Sequence, residues 1–267
     1  MAEKIRLERV SKVFTVRDEK QKGATREFTA VENLDFHVNE GEFVTLVGPS
    51  GCGKSTMLDL LGGLSTPTKG RILIDGREIT GPGLDRGTVF QQYALFPWKT
   101  ARGNIEFGLE AKGVPKKEWK EQSDYYLDLV GLSKFAERYP HELSGGMKQR
   151  VAIARSLAFN PDVLLMDEPF AALDAQTRET LQAELLRIWE KTKKTIIFIT
   201  HGIDEAVYLG QRVVVLSPNP GSVKKIVDIP LKNRLVDADI RSTPEFMEAR
   251  REVWSLLHEA EYKGAHI

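Results

Sequence analysis

Gly48-Pro49-Ser50-Gly51-Cys52-Gly53-Lys54-Ser55 is the segment that most narrows what this chain can become. It follows a short apolar run, Glu42–Val47, and precedes Met57–Leu64, whose apolar residues recur at helical spacing until glycines and Pro67 close it. A strand, a glycine-rich turn and a helix in that order form an anion cradle. Glycines let successive backbone N–H groups turn inward around a phosphate, and the helix start adds unpaired N–H groups and a positive dipole end. In this spacing Lys54 is expected to reach the β- and γ-phosphates and Ser55 to ligate Mg²⁺, with Gly48 to Thr56 together binding the nucleotide. The competing reading is a plain glycine-rich turn with an incidental lysine, and the strand–loop–helix setting disfavours it.

Such a cradle needs an acid at the end of a buried strand. Val163-Leu164-Leu165-Met166 is a continuous apolar run, as a parallel strand buried on both faces should be, and Asp167-Glu168 follows it. Asp167 is expected to hold Mg²⁺, directly or through water, and Glu168 to activate the attacking water. Alone, an Asp-Glu pair after a strand is more often a solvated loop start. Paired with the phosphate loop, it reads as the second half of a site.

The rest of the chain alternates strands and helices. Ile5–Val16 and Phe28–Val38 read as strands joined by the polar hairpin loop Arg17–Glu27, and Arg71–Ile74 followed by Asp75-Gly76 as strand and turn. From about Trp98 to Asn160 the pattern is helical, with Trp119, Tyr126, Leu127 and Val130 at helical spacing, a loop ending at Leu143 and a helix over Val151–Ala158. Arg178–Lys191 reads as an amphipathic helix, and Thr195–Thr200 and Arg212–Leu216 as strands. Thr243-Pro244-Glu245 is a helix start, with Phe246, Val253, Trp254 and Leu257 expected inside. This order predicts an α/β core with a helical insertion.

Composition excludes little. The 267 residues carry 38 Lys plus Arg against 38 Asp plus Glu, so net charge gives no hint of a nucleic-acid partner. Clusters such as Lys116-Lys117-Glu118 read as solvated faces. The single cysteine rules out an internal disulfide and fits a reducing cytosol. The segment MAEKIRLERV has no apolar core of a signal peptide, and no apolar run approaches the roughly 20 residues that cross a bilayer. Work at a membrane would require other chains to supply the spanning helices.

Leu143-Ser144-Gly145-Gly146-Met147-Lys148-Gln149-Arg150 closely resembles the LSGGQ signature of the ATP-binding-cassette (ABC) ATPases, with Met147 in place of the usual Gln. The resemblance covers nearly the whole chain. It implies a P-loop NTPase (RecA-like) core with an N-terminal antiparallel β subdomain and an inserted α-helical signature subdomain. The expected layout is one domain: a nucleotide-binding core over about 1–92 and 161–230, the helical subdomain over 93–160 and a C-terminal helical extension over 231–267. By the same resemblance Gln91 is the Q-loop glutamine that contacts Mg²⁺ and water. Ala172-Leu173-Asp174 is the D-loop, and His201 the histidine that touches the γ-phosphate. A lone His after a strand is usually structural; its ordered neighbours make this one functional. Phe14 takes the place of the aromatic that stacks on adenine, although an aromatic in that strand would also suit a core. The resemblance further implies that Ser144, Gly145 and Gly146 of one copy cap the ATP held by a second copy.

Phe90-Gln-Gln-Tyr-Ala-Leu-Phe-Pro-Trp98, Asn104–Leu109, the segment Leu143–Arg150, Ser217-Pro-Asn-Pro-Gly221 and the helix over Pro244–Leu257 resemble the nitrate/sulfonate/taurine importer branch. That branch implies transmembrane permease partners, an extracytoplasmic solute-binding protein, peripheral attachment to the cytoplasmic face of the inner membrane, and no nucleic acid. Gly202 stands where Asp often follows the histidine, and Ala171-Ala172 replaces the more frequent Ser-Ala. The permease is expected near Tyr93–Arg102, where Leu95-Phe96-Pro97-Trp98 is an apolar run in loop sequence, with local core packing as the alternative. A soluble cassette ATPase acting on nucleic acid or ribosomes is the other function class. The stretch Ser55–Ser144 lacks the sustained heptads of the coiled-coil members, and no second phosphate loop is present.

Overall fold

The computed structural model describes residues 2–17, 25–218, 220–236 and 239–264, the side chains of 259–264 excepted. In chain order the main elements are β1 (Glu3–Arg17), β2 (Thr25–Asn39), β3 (Phe43–Val47), α1 (Lys54–Gly62), β4 (Lys69–Ile74), β5 (Arg77–Glu78), β6 (Arg86–Val89), α2 (Ala101–Lys112), α3 (Trp119–Leu129), α4 (Gly145–Ala158), β7 (Val163–Asp167), α5 (Ala175–Thr192), β8 (Thr195–Ile199), α6 (Ile203–Leu209), β9 (Arg212–Ser217), β10 (Ser222–Asp228) and α7 (Pro244–Gly264). Two compact units result: residues 1–82 with 198–267, and residues 83–197.

In the first unit, β1 pairs antiparallel with β2 on one side and β4 on the other, and β5 pairs with β4. The hairpin runs from Glu3↔Asn39 to Arg17↔Thr25, so the expected strands are present and extend further. Most of the expected loop Arg17–Glu27 lies outside the described residues. β3 runs parallel to β9, in register Val47↔Val215, and β10 returns antiparallel to β9. All five β3 side chains are buried. A strand with both faces covered has no room for alternation, which is why its sequence is uniformly apolar apart from Thr45. The Thr45 hydroxyl donates to Ala206 O at 3.1 Å, so the one polar group there is satisfied. α7 buries Phe246, Ala249 and Val253. Trp254, expected inside, is 39% exposed and stacks on His258. It lies one residue, about 100° of helix, around from Val253 and so leaves the buried stripe. Leu257 is half-buried.

In the second unit, β6 and β7 pair in parallel, Val89 opposite Met166. α2, α3 and α4 form the helical region expected over 98–160. α2 and α4 approach closely at Gly108, where a Cβ would stand 2.5 Å from Arg155 O. Asn104, fully buried on α2, donates from Nδ2 to the carbonyls of Phe96, Lys99 and Thr100 and accepts from Phe96 N. One amide therefore fixes the turn that carries Phe96–Thr100.

Three helices begin earlier than their apolar spacing indicates. α1 starts at Lys54, not Met57, and ends at Gly62 under the left-handed cap Gly63, which leaves Leu64 outside. α4 starts at Gly145, not Val151, and α5 at Ala175, not Arg178. α1 and α5 open on polar or small residues, and α4 on two glycines with Met147 the lone large apolar residue before Val151, so hydrophobic periodicity sets no phase there.

Candidate nucleotide site

Each unit carries one set of the expected residues. The phosphate loop in the first unit leaves β3 at Gly48 and enters α1 at Lys54. Gly53 is the N-cap of α1, with φ 86°, and no side chain caps the helix. A Cβ there would stand 2.4 Å from Val31 Cγ1 and 2.8 Å from Ala30 O, so both backbone conformation and crowding by β2 demand glycine. α1 has no acid in its first turn either. Most helices satisfy these N–H groups with a side-chain oxygen. Here the loop leaves them directed at the cradle, the arrangement an anion requires.

Lys54 folds over this loop. Its Nζ donates to Gly48 O at 2.7 Å and Pro49 O at 3.0 Å, which fixes the ammonium at the mouth of the turn. Cys52 beneath it is fully buried, and burial pushes its thiol pKa up, with Lys54 opposing. Gly51, Ser50 and Ser55 are exposed, and Pro49 and Thr56 half-buried. Phe14 on β1 pairs across the strands with Phe28, two residues from Ala30. It is 37% exposed, so it is not a core residue, and Lys12 Nζ lies 5.1 Å from its ring centre. His201, exposed, follows β8. Thr200 N donates to Leu46 O at 3.1 Å, so the end of β8 lies beside the end of β3.

The second unit brings together the acids and the glutamine. Because Val89 and Met166 are in register, Gln91 and Glu168 leave neighbouring parallel strands at the same end. Asp167 is the last residue of β7 and half-buried. Glu168 has φ 42°, an unfavourable left-handed conformation for a glutamate, and strain of this kind gathers where a side chain must be aimed. Tyr93 and Ala94, just after Gln91, are also left-handed, at φ 60° and 46°. Arg155 of α4 clamps both, donating to Ala94 O at 2.7 Å and Tyr93 O at 3.2 Å. Burial lowers the Arg155 pKa.

Ser144 is the N-cap of α4, its hydroxyl oxygen accepting from Met147 N at 3.3 Å. That bond uses a lone pair and leaves the hydroxyl proton to donate. Gly145 and Gly146 form the first turn. A Cβ on Gly146 would meet Thr177 Cγ2 at 2.8 Å, so packing against α5 also selects a glycine. Asp174 caps α5, accepting from Thr177 N at 2.9 Å, and that backbone hydrogen bond, first among several, holds its carboxyl below the usual range. Its geometry thus gives it a structural role that the sequence reading did not assign.

Each unit offers oxygen donors of the kind Mg²⁺ takes alongside phosphate. Among the described residues no cluster of three or more His, Cys, Asp or Glu side chains could hold a metal alone. Ser55 and Asp167 offer one hard oxygen group each, and Mg²⁺ is commonly held by one or two protein groups together with phosphate oxygens and water. No helix among the described residues is long and apolar enough to cross a membrane. Arg155 was not singled out by the sequence, since it acts by holding the backbone of residues about sixty positions away and belongs to no spaced pattern.

Residues 31–171 match the ABC transporter family. An uncharacterised ABC transporter ATP-binding protein of Methanocaldococcus jannaschii is 51% identical over 99% of this chain and 95% of its own length. The nitrate import ATP-binding protein NrtD of Synechocystis is 54% identical, covering 85% of this chain and 88% of the relative. The taurine import ATP-binding protein TauB of Roseobacter denitrificans is 46% identical, covering 87% and 88%. A dimeric ATP-binding cassette in a post-hydrolysis state, bound to ADP and Pi, superposes with a TM-score of 0.71 at 34% identity, covering 85% of this chain and all of that one. On this family match and these relatives, the chain belongs to the ABC transporter family, as an ATP-hydrolysing subunit resembling the nitrate/sulfonate/taurine branch.

Proposed function

We propose that this chain is the motor of an importer, working as a pair of identical copies that enclose two ATP molecules. Gly48–Thr56 bind the phosphates, Phe14 stacks on adenine, and Ser144, Gly145 and Gly146 of the second copy cap the γ-phosphate. The observation that carries this reading is the Ser144 turn. An exposed hydroxyl with a proton to give, followed by two glycines opening a 14-residue helix, has the donors an anion requires and belongs to a different segment of the chain from the phosphate loop. The dimeric neighbour bound to ADP and Pi supports a paired arrangement.

Ser55, Gln91 and Asp167 are the residues that would hold Mg²⁺, which when bound neutralises phosphate charge. Glu168 takes a proton from the attacking water, His201 contacts the γ-phosphate, Lys54 stabilises charge on the β- and γ-phosphates, and Asp174 fixes the α5 start beside the signature. ATP closes the pair and phosphate loss releases it. Permease subunits dock near Tyr93–Arg102 and convert that cycle into solute movement, placing the chain peripherally at the cytoplasmic face of the inner membrane. The names of the nitrate and taurine relatives support a nitrate/sulfonate/taurine-type anion or small organic solute as cargo, and an extracytoplasmic binding protein would deliver it.

Subunit mixing tests the shared site. Ser144→Arg and Lys54→Ala chains are each expected to be inactive. Mixed together they regain part of the ATPase activity, because one composite site in each mixed pair has both halves intact. No recovery, with mixed pairs shown to form, would refute the two-copy arrangement.

A further inference from the structure

We infer that Thr200 and Glu205 are positioning residues that hold His201 for turnover, an inference resting on the reading of His201 as a γ-phosphate contact. His201 itself is exposed, whereas Thr200 beside it is 2% exposed. The Gly202 N–H donates to Thr200 Oγ1 at 2.9 Å, and the Thr200 hydroxyl donates its one proton to Glu205 Oε2. Backbone amide, hydroxyl and carboxylate thus form a directed relay in which each bond polarises the next. It closes a ring around His201, from the residue before it to the residue after it. The third anchor is the main chain: Thr200 N donates to Leu46 O at 3.1 Å, two residues before Gly48. The turn carrying His201 is therefore tied both to α6 and to the strand that feeds the phosphate loop.

Gly202 makes this relay matter. It is the N-cap of α6 and has no side chain with which to cap it. A turn of this kind usually takes its order from a capping Ser, Thr, Asp or Asn. Here Thr200 and Glu205 supply the side-chain bonds of the turn instead. A Cβ at Gly202 would lie 3.4 Å from Glu205 Cβ and 3.5 Å from Thr200 Oγ1, so the position is not closed to other residues by sterics. The chain does without a cap there and relies on the relay.

The test compares Thr200→Val, which keeps the shape and loses the hydroxyl, with Thr200→Ser, which keeps the hydroxyl. Glu205→Leu and Glu205→Gln form the matching pair. ATPase kinetics are measured well below each variant's melting temperature, with Mg²⁺-ATP as substrate. Thr200→Val and Glu205→Leu are expected to lower kcat about tenfold or more, since small misplacements of a group at a reacting centre cost that much. KM is expected to stay within about twofold. Thr200→Ser and Glu205→Gln are expected to recover most of the rate. In a His201→Ala background, Thr200→Val should cost no more than about twofold further, because a residue acting through His201 has nothing left to position. Four outcomes would overturn the inference. The first is folded Thr200→Val with wild-type kcat, while His201→Ala is impaired, which leaves the reading of His201 standing. The second is a full tenfold loss that persists without His201. The third is failure of Thr200→Ser to recover. The last is wild-type kcat in His201→Ala itself, which would remove the reading of His201 as well.

Discussion

Arg212 grips Glu42 with two parallel hydrogen bonds, Nε to Oε1 at 2.5 Å and Nη2 to Oε2 at 2.7 Å. The same Nη2 also donates to His37 O at 2.8 Å, and Glu42 Oε2 accepts from Asn39 N at 2.7 Å. Glu42 is 6% exposed. The pair joins the start of β9 to the turn before β3, the strand that feeds the phosphate loop. Removing one partner leaves an uncompensated buried charge, so Glu42→Ala is expected to cost about 3–5 kcal/mol of stability. Replacing both, as Glu42→Leu with Arg212→Met, is expected to cost less than the single change. Urea denaturation at fixed nucleotide concentration measures both. A single-variant loss below about 1 kcal/mol would place this pair with ordinary surface ion pairs.

Lys54→Ala removes two loop hydrogen bonds and the charge at the mouth of the cradle. A charge-assisted hydrogen bond contributes about 1.5–3 kcal/mol, so ATP affinity is expected to fall about 10–100-fold. Titration calorimetry with Mg²⁺-ATP reads this directly. Unchanged affinity would contradict the assignment of the phosphate loop.

The phosphate loop and strand-end acids were legible in the sequence because their chemistry depends on residue type at fixed spacing. Gly48, Gly53 and Lys54 fall within one seven-residue segment, and β3 (Thr45 apart) and Val163–Met166 of β7 are buried and so apolar. What stayed hidden depends on contacts between distant segments or on backbone conformation. The left-handed φ of Glu168 leaves no mark in composition, and the Arg155 clamp on Tyr93 and Ala94 joins residues about sixty positions apart. The starts at Lys54 and Ala175 escape hydrophobic periodicity because polar or small residues open those helices, and at Gly145 because Met147 is the lone large apolar residue before Val151. Hydrophobicity alone puts Trp254 inside, and a single residue of rotation from the buried Val253 takes it out.

Glu168→Gln keeps the size of the side chain and removes the proton acceptor. ATP binding is expected to persist with turnover reduced at least 10²-fold, the scale of a lost general base. The variant is then expected to accumulate as an ATP-bound pair, which size-exclusion chromatography with and without ATP detects. A rate within a few-fold of wild type would count against Glu168 as the base.

The expected permease surface is best probed at Trp98 rather than Phe96. Phe96 is half-buried: its ring lies 4.7 Å from Phe107 and 5.6 Å from Trp98, and Arg155 sits 5.5 Å from its centre. An Asp there would break local packing and confuse folding with docking. Trp98 is 71% exposed and Phe107 40%, so the outer part of the same aromatic cluster faces outward. Tryptophan is enriched among residues that dominate interfaces. The cluster is held by Asn104, and Arg155 links it to the segment after Gln91 and to the helix that Ser144 begins. A partner helix seated on Trp98 would therefore bear on elements that contact nucleotide in the proposed mechanism. Trp98→Asp is expected to change the stability of the isolated chain by no more than about 0.5 kcal/mol, as surface substitutions usually do. ATP binding should be retained, and co-purification with the membrane subunits and transport should be lost. Phe96→Ala is expected to cost about 1–3 kcal/mol in the isolated chain, because it empties the centre of the cluster. Normal assembly of Trp98→Asp would move the docking surface elsewhere, and a large fall in its melting temperature would identify the cluster as local core.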